Sequence, residues 1–444
     1  MKRVLLLSTT TGYQTRAFGD VAQRLGIELV FATDRCHVLD DPWRDEAIPI
    51  RFFDEAGSVA AILESARVRR IDGVLALGDR PTVIAAGVMA ALGLPGHPPE
   101  AAQVSRNKRL TRERLRDAGL PVPWFVATSV EADVSTLVSS LSFPCVVKPL
   151  ALSGSRGVIR ADDAVSFAAA FDRLRALLRS PDIRVERSEA HGEVLIEGFI
   201  PGREYALEGL LHHGELHVLA LFDKPDPLDG PFFEETIYVT PSIAPEAEQA
   251  AIVEGIRRAA AAIGLRHGPV HAECRVNDAG VFVLEVAARP IGGLCARALR
   301  FGVGSGLQFL PSTPAETVDA ETANRSRPQT LEALLLRHAL GESPDGWRRE
   351  AVASGVMMIP IPHRGIFRRV SGIDDARAVP GVDDIRITAK PDQRLVPLPE
   401  GASYLGFIFA RVDAPADVTR ALRAAHARLH FDIDAEVPLL AAPR

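Results

Sequence analysis

The sequence predicts a mixed α/β and α+β architecture in three parts. These are a Rossmann-like N-terminal unit (1–95), a central region of antiparallel sheets (96–305, with a small lid subdomain at about 122–195) and a β-rich α+β C-terminal region (306–444). Three observations predict it. A chain of 444 residues is too long for one core. Apolar runs alternate with helical periodicity over the first 95 residues, as in a parallel sheet with crossover helices. From about residue 120 onward, strand-like runs follow one another across glycine turns, as antiparallel strands do.

The elements follow in order. "VLLL" (4–7), "IELVFAT" (27–33) and "DGVLALG" (72–78) read as buried parallel strands, with helices over "TRAFGDVAQRLG", "SVAAILESARVRR" and "PTVIAAGVMAALG". The first turn, "STTTGYQ", holds one glycine, so the GxGxxG pattern of a dinucleotide site is absent. A proline-rich break at 93–100 precedes a single basic helix, "AAQVSRNKRLTRERLRDAG". The runs "FPCVVKP" and "GVIRADD" read as strands, and "DAVSFAAAFDRLRALLRS" as a helix ending at Pro181. Residues 192–223 read as one antiparallel meander, 225–241 as a polar loop, 246–264 as a helix and 268–293 as a hairpin. Beyond a linker near 311–328 come a helix at about 329–340, the strands "GVMMIPI", "IRITAK" and "YLGFIFARV", and a last helix, "PADVTRALRAAHARL".

Composition excludes several classes. The net charge of −6 gives no basic footprint for nucleic acid. The N-terminal apolar run stops at Leu7, short of a secretory h-region, and no run reaches membrane-span length. Four dispersed cysteines with no CxxC argue against a disulfide framework or zinc site, and a reducing cytoplasm is the expected location. Of 51 basic residues only five are lysine (Lys2, Lys108, Lys148, Lys224, Lys390). Where arginine is used almost everywhere, a retained lysine suggests a task that needs a compact ammonium. Lys108 and Lys148 sit in motifs.

Lys148 ends a strand and precedes the loop "SGSRG", Ser153–Gly157. A Walker A loop has its lysine after the glycines, at a helix start, so this is not a P-loop. Ser153, Gly154, Ser155 and Gly157 can still fold backbone N–H groups around phosphate oxygens, with Lys148 beneath. From the loop alone, a phosphate lid and a plain surface loop are both open.

The hairpin "HAECRVNDAGVFVLEVAARPIGG" is more specific. A three-residue turn, Asp278-Ala279-Gly280, sets Glu273 opposite Glu285 and His271 opposite Ala287, with Leu284 on the apolar face. Opposed carboxylates repel, and an oxygen-only pair suits Mg²⁺, whose remaining sites go to phosphate and water. Arg289 follows on the same face. The alternative is a solvated strand face neutralised by Arg275.

Together, the phosphate loop, its lysine, the opposed glutamates and the arginine resemble the ATP-grasp superfamily. Within it the likeness is to carboxylate–amine ligases of the L-amino-acid-ligase type, in the three-domain branch that includes biotin carboxylase. The three regions are then a pre-ATP-grasp domain, a catalytic ATP-grasp domain and a C-terminal domain. The resemblance implies ATP and one or two Mg²⁺ ions (Mn²⁺ as a substitute), with Glu273 and Glu285 as metal ligands. It implies that Lys108 and Lys148 contact phosphates and that Ser153–Gly157 forms a mobile lid. In "IEGFIPGRE", Glu197, Phe199 and Ile200 would meet the adenine edge and Glu204 the ribose. "EVAARPIGG" resembles the family's E-x-N-x-R run, in which Arg289 would be catalytic, together with Lys148 of the earlier strand, and Gly292 and Gly293 would lie near the acyl phosphate. Ala287 stands where the family has a metal-binding Asn, a gap that His271 would fill in part or merely pack across. Glu234 or Glu235 could hold a substrate ammonium.

The expected activity is ATP-dependent joining of a small carboxylate, such as an amino acid, to an amine through an acyl phosphate, releasing ADP and phosphate. Expected partners are those small molecules, without nucleic acid or membrane, and a homodimer is compatible. Rival readings are a carboxylase or purine-type ligase of the same superfamily, an ATP-grasp kinase, and a non-catalytic nucleotide-binding protein.

Overall fold

A computed structural model describes residues 1–9, 13–34, 47–303 and 328–436. The expected linker near 311–328, but for its last residue, and Cys36 lie outside the described residues.

The N-terminal sheet is parallel as predicted. Lys2–Ser8 lies between Ile27–Thr33 and Gly73–Leu77, with Leu6 beside both Phe31 and Leu75. Val4 to Leu7 are fully buried, the mark of a strand covered on both faces. Helix Thr82–Leu92 stops at Gly93, whose φ of +65° is the left-handed end that glycine permits. The strand Gly73–Leu77 delivers Gly78 and Asp79 to the central cavity at its C-terminal end.

The basic helix expected as one piece is two, Pro99–Arg106 and Lys108–Asp117. Asn107 is extended, and its side-chain oxygen accepts from the backbone N–H groups of Arg109 (3.0 Å) and Leu110 (3.3 Å). Asparagine is a strong N-cap, so it starts a new helix where helical periodicity alone runs straight through. Lys108 thereby opens the second helix.

The meander also divides. Glu193–Gly198 belongs to a four-stranded sheet ordered Phe125–Ser129, Glu193–Gly198, Cys145–Pro149, Ile159–Ala161, while Arg203–His212 enters a larger one. The chain changes sheets at Gly202, where a Cβ would lie 2.2 Å from the Val276 carbonyl oxygen. The large sheet has eight strands, ordered Gly280–Ala287, Gly268–Asn277, Arg203–His212, Glu215–Asp223, Ile237–Thr240, Ala353–Ile359, Gly406–Val412, Val382–Ile387. Tyr238 pairs with Val356, so strands from the C-terminal region extend the central sheet. Helix Leu331–Ala339 buries Leu331, Leu334 and Leu335 in a core shared with Val4, Leu6 and Leu75 of the N-terminal sheet.

The hairpin reaches its expected pairing by another route. Asn277 pairs with Gly280, which leaves the two-residue turn Asp278-Ala279 in place of the three-residue one. A bulge between Glu273 and Cys274 then absorbs Leu284, restoring Glu273 opposite Glu285 and His271 opposite Ala287. The bulge puts Val283 in the core, and Leu284, expected on the apolar face, lines the cavity.

Candidate active site

A cavity of about 530 Å³ lies where the N-terminal strand end, the lid sheet, the large sheet and the segment 402–404 meet. Lys108, Lys148, Ser153, Gly154 and Ser155 all line it. So do Glu197, Phe199, Ile200 and Glu204, together with Glu235, Glu273 and Glu285. Arg289, Gly292 and Gly293 complete the set drawn together from the sequence.

Two expected residues do not line it. Gly157 (φ +75°) donates its N–H to the Pro399 carbonyl at 2.8 Å, and a Cβ there would lie 2.9 Å from Leu174 and 3.3 Å from Pro149. Its lack of a side chain lets the loop close against helix Ala164–Leu178. Glu234 is absent from the lining, while its neighbour Glu235 is present. Burial raises the Glu234 carboxyl, and the Ile361 backbone partly offsets this.

Lys148 is buried and ion-paired with Glu197, which is buried and also takes Arg112 Nε at 2.8 Å and Nη2 at 3.2 Å. Burial lowers Lys148 to about 8, because Glu197 offsets only part of the desolvation and Arg112 shares that carboxylate. Burial alone would raise Glu197, but the two cations outweigh it and hold it at about 2. Both groups are therefore charged at neutral pH. The Glu197 carboxylate is committed to these cations. Lys108 Nζ donates to the Leu152 carbonyl at 2.8 Å, at the root of the loop, and lies 3.5 Å from Glu285.

Glu273 is not left facing Glu285 alone. Lys224, buried, reaches Glu204 at 2.8 Å and Glu273 at 3.1 Å and also pairs with Glu235. Burial disfavours the ammonium, but the three acids outweigh that and raise Lys224 well above its ordinary value. Carboxylate oxygens of Glu204, Glu235 and Glu273 lie within 4.8 Å of one another. Burial and the nearby Glu273 push Glu235 up to about 7, whereas Lys224 and His271 hold Glu273 well below the usual range against its own burial. Tyr238 donates to Glu235 at 2.9 Å.

His271 lies between Glu208 (Nδ1 at 3.1 Å) and Glu273 (Nε2 at 3.7 Å). Burial disfavours its cation, yet the two acids raise it to about 9. His271 therefore sits between two acids whose charge it offsets in the metal-free protein. Glu208 also accepts from the Ile291 N–H at 3.0 Å, which anchors the segment leading to Gly292 and Gly293.

Arg289 is held by Asp79 through Nε (2.9 Å) and Nη2 (3.3 Å). Burial would raise Asp79, but the guanidinium outweighs it and lowers the carboxyl. This bidentate pair fixes the arginine's plane from the N-terminal region.

The donor set fits a magnesium–nucleotide unit: the Glu273 and Glu285 carboxylates on one side, and Lys108, Lys148 and the Ser153–Ser155 loop on the other. Sequence reasoning missed Asp79, Arg112, Glu208 and Lys224. Lys224 had a signal in lysine scarcity, and Asp79 in its place just beyond the C-terminal end of a parallel strand. Arg112 had none among 46 arginines, since 51 basic residues less five lysines leaves that number.

Comparison with known proteins agrees with this geometry. Residues 20–96 match the ATP-grasp N-terminal domain, 141–298 the ATP-grasp domain, and 357–434 the L-amino acid ligase C-terminal domain 2. The structure superposes on L-amino acid ligase from Bacillus licheniformis with a TM-score of 0.78 and 26% identity, covering 98% of this chain and 99% of that one. Carnosine synthase 1 of Gallus gallus is 32% identical over 249 residues, 53% of this chain and 26% of its own. Alanine–anticapsin ligase of Bacillus subtilis is 27% identical over 216 residues, 45% of this chain and 44% of its own. The chain therefore spans less than half the length of these two relatives. No helix among the described residues is long and apolar enough to cross a membrane.

Proposed function

The chain belongs to the ATP-grasp superfamily and is of the L-amino-acid-ligase type, and on that footing we propose that it joins a small carboxylate to an amine at the expense of ATP, releasing ADP and phosphate. The substrates favoured are amino acids or similar small acids and amines, as the names of the ligases it resembles suggest. One observation carries the reading. Two lysines, two hairpin glutamates and an arginine fixed by Asp79 line a single cavity beneath a Ser/Gly loop.

The substrate carboxylate attacks the γ-phosphorus of ATP, the bond to the β-phosphate oxygen breaks, and ADP leaves. The amine then attacks the acyl carbon, phosphate departs with the C–O electrons, and the amine's proton passes to solvent. Glu273 and Glu285 would hold Mg²⁺, which when bound would supply charge neutralisation on the phosphate oxygens. Lys148 and Lys108 hold the phosphate chain, and Arg289 faces the transferring group; the work is positioning and charge stabilisation. Ser153–Ser155 cover the phosphates and keep water from the acyl phosphate. Gly292 and Gly293 permit close approach of the backbone, and Glu235, which already pairs with Lys224 and Tyr238, is the cavity acid assigned to a substrate ammonium. Phe199 and Ile200 serve the adenine edge and Glu204 the ribose.

The test measures phosphate release across a matrix of amino acids and amines, with chromatography of the spent nucleotide. ADP formed only when acid and amine are both present is expected. AMP as product overturns the acyl-phosphate route, and phosphorylated acid accumulating without amine makes the protein a kinase. Nucleotide binding without turnover on any pair would favour the non-catalytic reading that Ala287 raises.

A further inference from the structure

Five of the chain's twelve histidines gather at the opposite end of the strand Arg203–His212 from Glu204. Eight residues of strand put them about 26 Å from that end of the cavity. His212 closes the strand, His213 occupies the following turn, and His217 returns on the next strand. His267 immediately precedes the strand Gly268–Asn277, and His338 comes from helix Leu331–Ala339. Nothing in the proposed reaction uses them.

The geometry points to a transition-metal site, of the zinc class, held by His212, His267 and His338. One ring nitrogen from each lies within 4.8 Å of the other two. His212 Nδ1 and His338 Nε2 are 3.2 Å apart. Without an ion this contact is a hydrogen bond between the rings; two imidazole nitrogens at about 2.0–2.1 Å from a tetrahedral ion lie about 3.3 Å apart, so the pair can become ligands with little movement once the shared proton leaves. His267 stacks on His338 with ring centroids 4.3 Å apart and planes 14° apart. It is 6% exposed, and its Nδ1 is buried with no hydrogen-bond partner among the described residues. A buried lone pair or N–H without a partner is costly, and an ion would satisfy it. Burial, followed by the neighbouring rings, keeps His267 and His338 neutral at physiological pH, the form that binds metals.

The surroundings support the same assignment. The exposed His213 ring is 4.5 Å from that of His212 and 5.0 Å from that of His267, leaving it or a water as the fourth ligand. His97, which faces the same region, has both ring nitrogens engaged: Nε2 with the Pro269 carbonyl at 3.3 Å and Nδ1 accepting from the Arg266 N–H at 3.1 Å. It is a wall residue, not a ligand. Imidazoles without carboxylates select zinc, copper or nickel over magnesium. An ion here would pin helix Leu331–Ala339 to two strands of the large sheet, those that carry Glu204 near the far end and Glu273 at mid-strand.

Untagged full-length protein, stripped with chelator and held in excess Mg²⁺, is titrated with Co²⁺ and then with Zn²⁺. One equivalent of Co²⁺ with the visible bands of a tetrahedral ion is expected, displaced by Zn²⁺, together with a Zn²⁺-dependent rise in melting temperature. His338→Gln and, at a more exposed position, His212→Gln are expected to weaken binding by more than about tenfold, a loss that follows even from removing a partner behind a ligand. Melting curves without metal show whether each variant is folded. Absence of stoichiometric uptake by the wild type, or equal uptake by a folded His212→Gln variant, overturns the site. Uptake abolished by excess Mg²⁺ also overturns it, by assigning the ion to the carboxylates of Glu204, Glu235 and Glu273.

Discussion

Glu273 stands directly across the hairpin from Glu285, and a different lysine holds each: Lys224 lies 3.1 Å from the first and Lys108 3.5 Å from the second. Opposition of the two acids alone suggests a repulsion relieved only by metal. Two ammonium groups already relieve it. Glu285→Gln is therefore expected to leave the ligand-free protein within about 0.5 kcal/mol of wild type, since a partly exposed pair contributes little. The same variant is expected to lose most of the extra thermal stability that Mg²⁺ adds to ATP. Melting curves with ATP alone and with Mg²⁺–ATP decide it, and a full metal-dependent shift in Glu285→Gln would place the metal elsewhere.

Lys224 is the cation on which Glu204, Glu235 and Glu273 converge. Removing one member of a buried charge cluster leaves the others uncompensated, at a cost of roughly 3–5 kcal/mol. Lys224→Gln is expected to show that loss in denaturant unfolding. It should also acquire a stabilisation by Mg²⁺ or Mn²⁺ without nucleotide, because three carboxylates within 4.8 Å become a vacant oxygen site. Wild-type stability in this variant would mean that the acids accept protons in place of the lysine.

Lys148, lowered to about 8 chiefly by burial, sets a pH limit. The ammonium is present below that value and lost as pH rises through it, so kcat/KM for ATP is expected to fall above about pH 8. That ratio reports ionisations of the free enzyme. Lys148→Arg keeps the charge at every pH tested, and its profile is expected to be flat across this range. Its rate is nonetheless low, since a planar guanidinium does not fit where a point-like ammonium does. A profile with the same alkaline limb in both proteins would assign the limb to another group.

The fold class and the cavity's first ring of residues were legible because each has a local signature. Buried strands show as apolar runs, glycine loops as composition, and facing glutamates as spacing along a hairpin. What failed was whatever depends on partners distant in sequence. Nothing around Glu197 announces that Arg112 and Lys148 will both bind it, 85 and 49 residues away. Nothing around Arg289 announces Asp79, 210 residues earlier. Asn107 interrupts a helix through its side chain, against a periodicity that continues unbroken. The hairpin shows the converse: turn and bulge were both missed, and the two one-residue errors cancel at Glu273.

The lid subdomain is tied to the C-terminal region at three points, two of them on the loop Ser153–Gly157. Gly157 N–H donates to Pro399 O at 2.8 Å, Arg156 Nε donates to Glu400 O at 2.7 Å, and Arg173 Nη2 meets the Glu400 carboxylate at 2.9 Å. Arg173 stands on helix Ala164–Leu178, so the Glu400 side chain links the lid subdomain to the opposite wall. Both partners are partly exposed, and the pair contributes at most about 1 kcal/mol to stability. Its larger effect is expected on closure, which under the proposed mechanism protects an acyl phosphate from water. Glu400→Ala is expected to melt close to wild type yet to release more phosphate per amide formed. Arg173→Ala removes the same contact, so the double variant is expected to be no leakier than either single one, as for two ends of one interaction. Parallel assays of phosphate and amide supply the ratio. An unchanged ratio in Glu400→Ala would show that the two backbone bonds hold the lid without this side chain, and additive leakage in the double variant would show that the residues act separately.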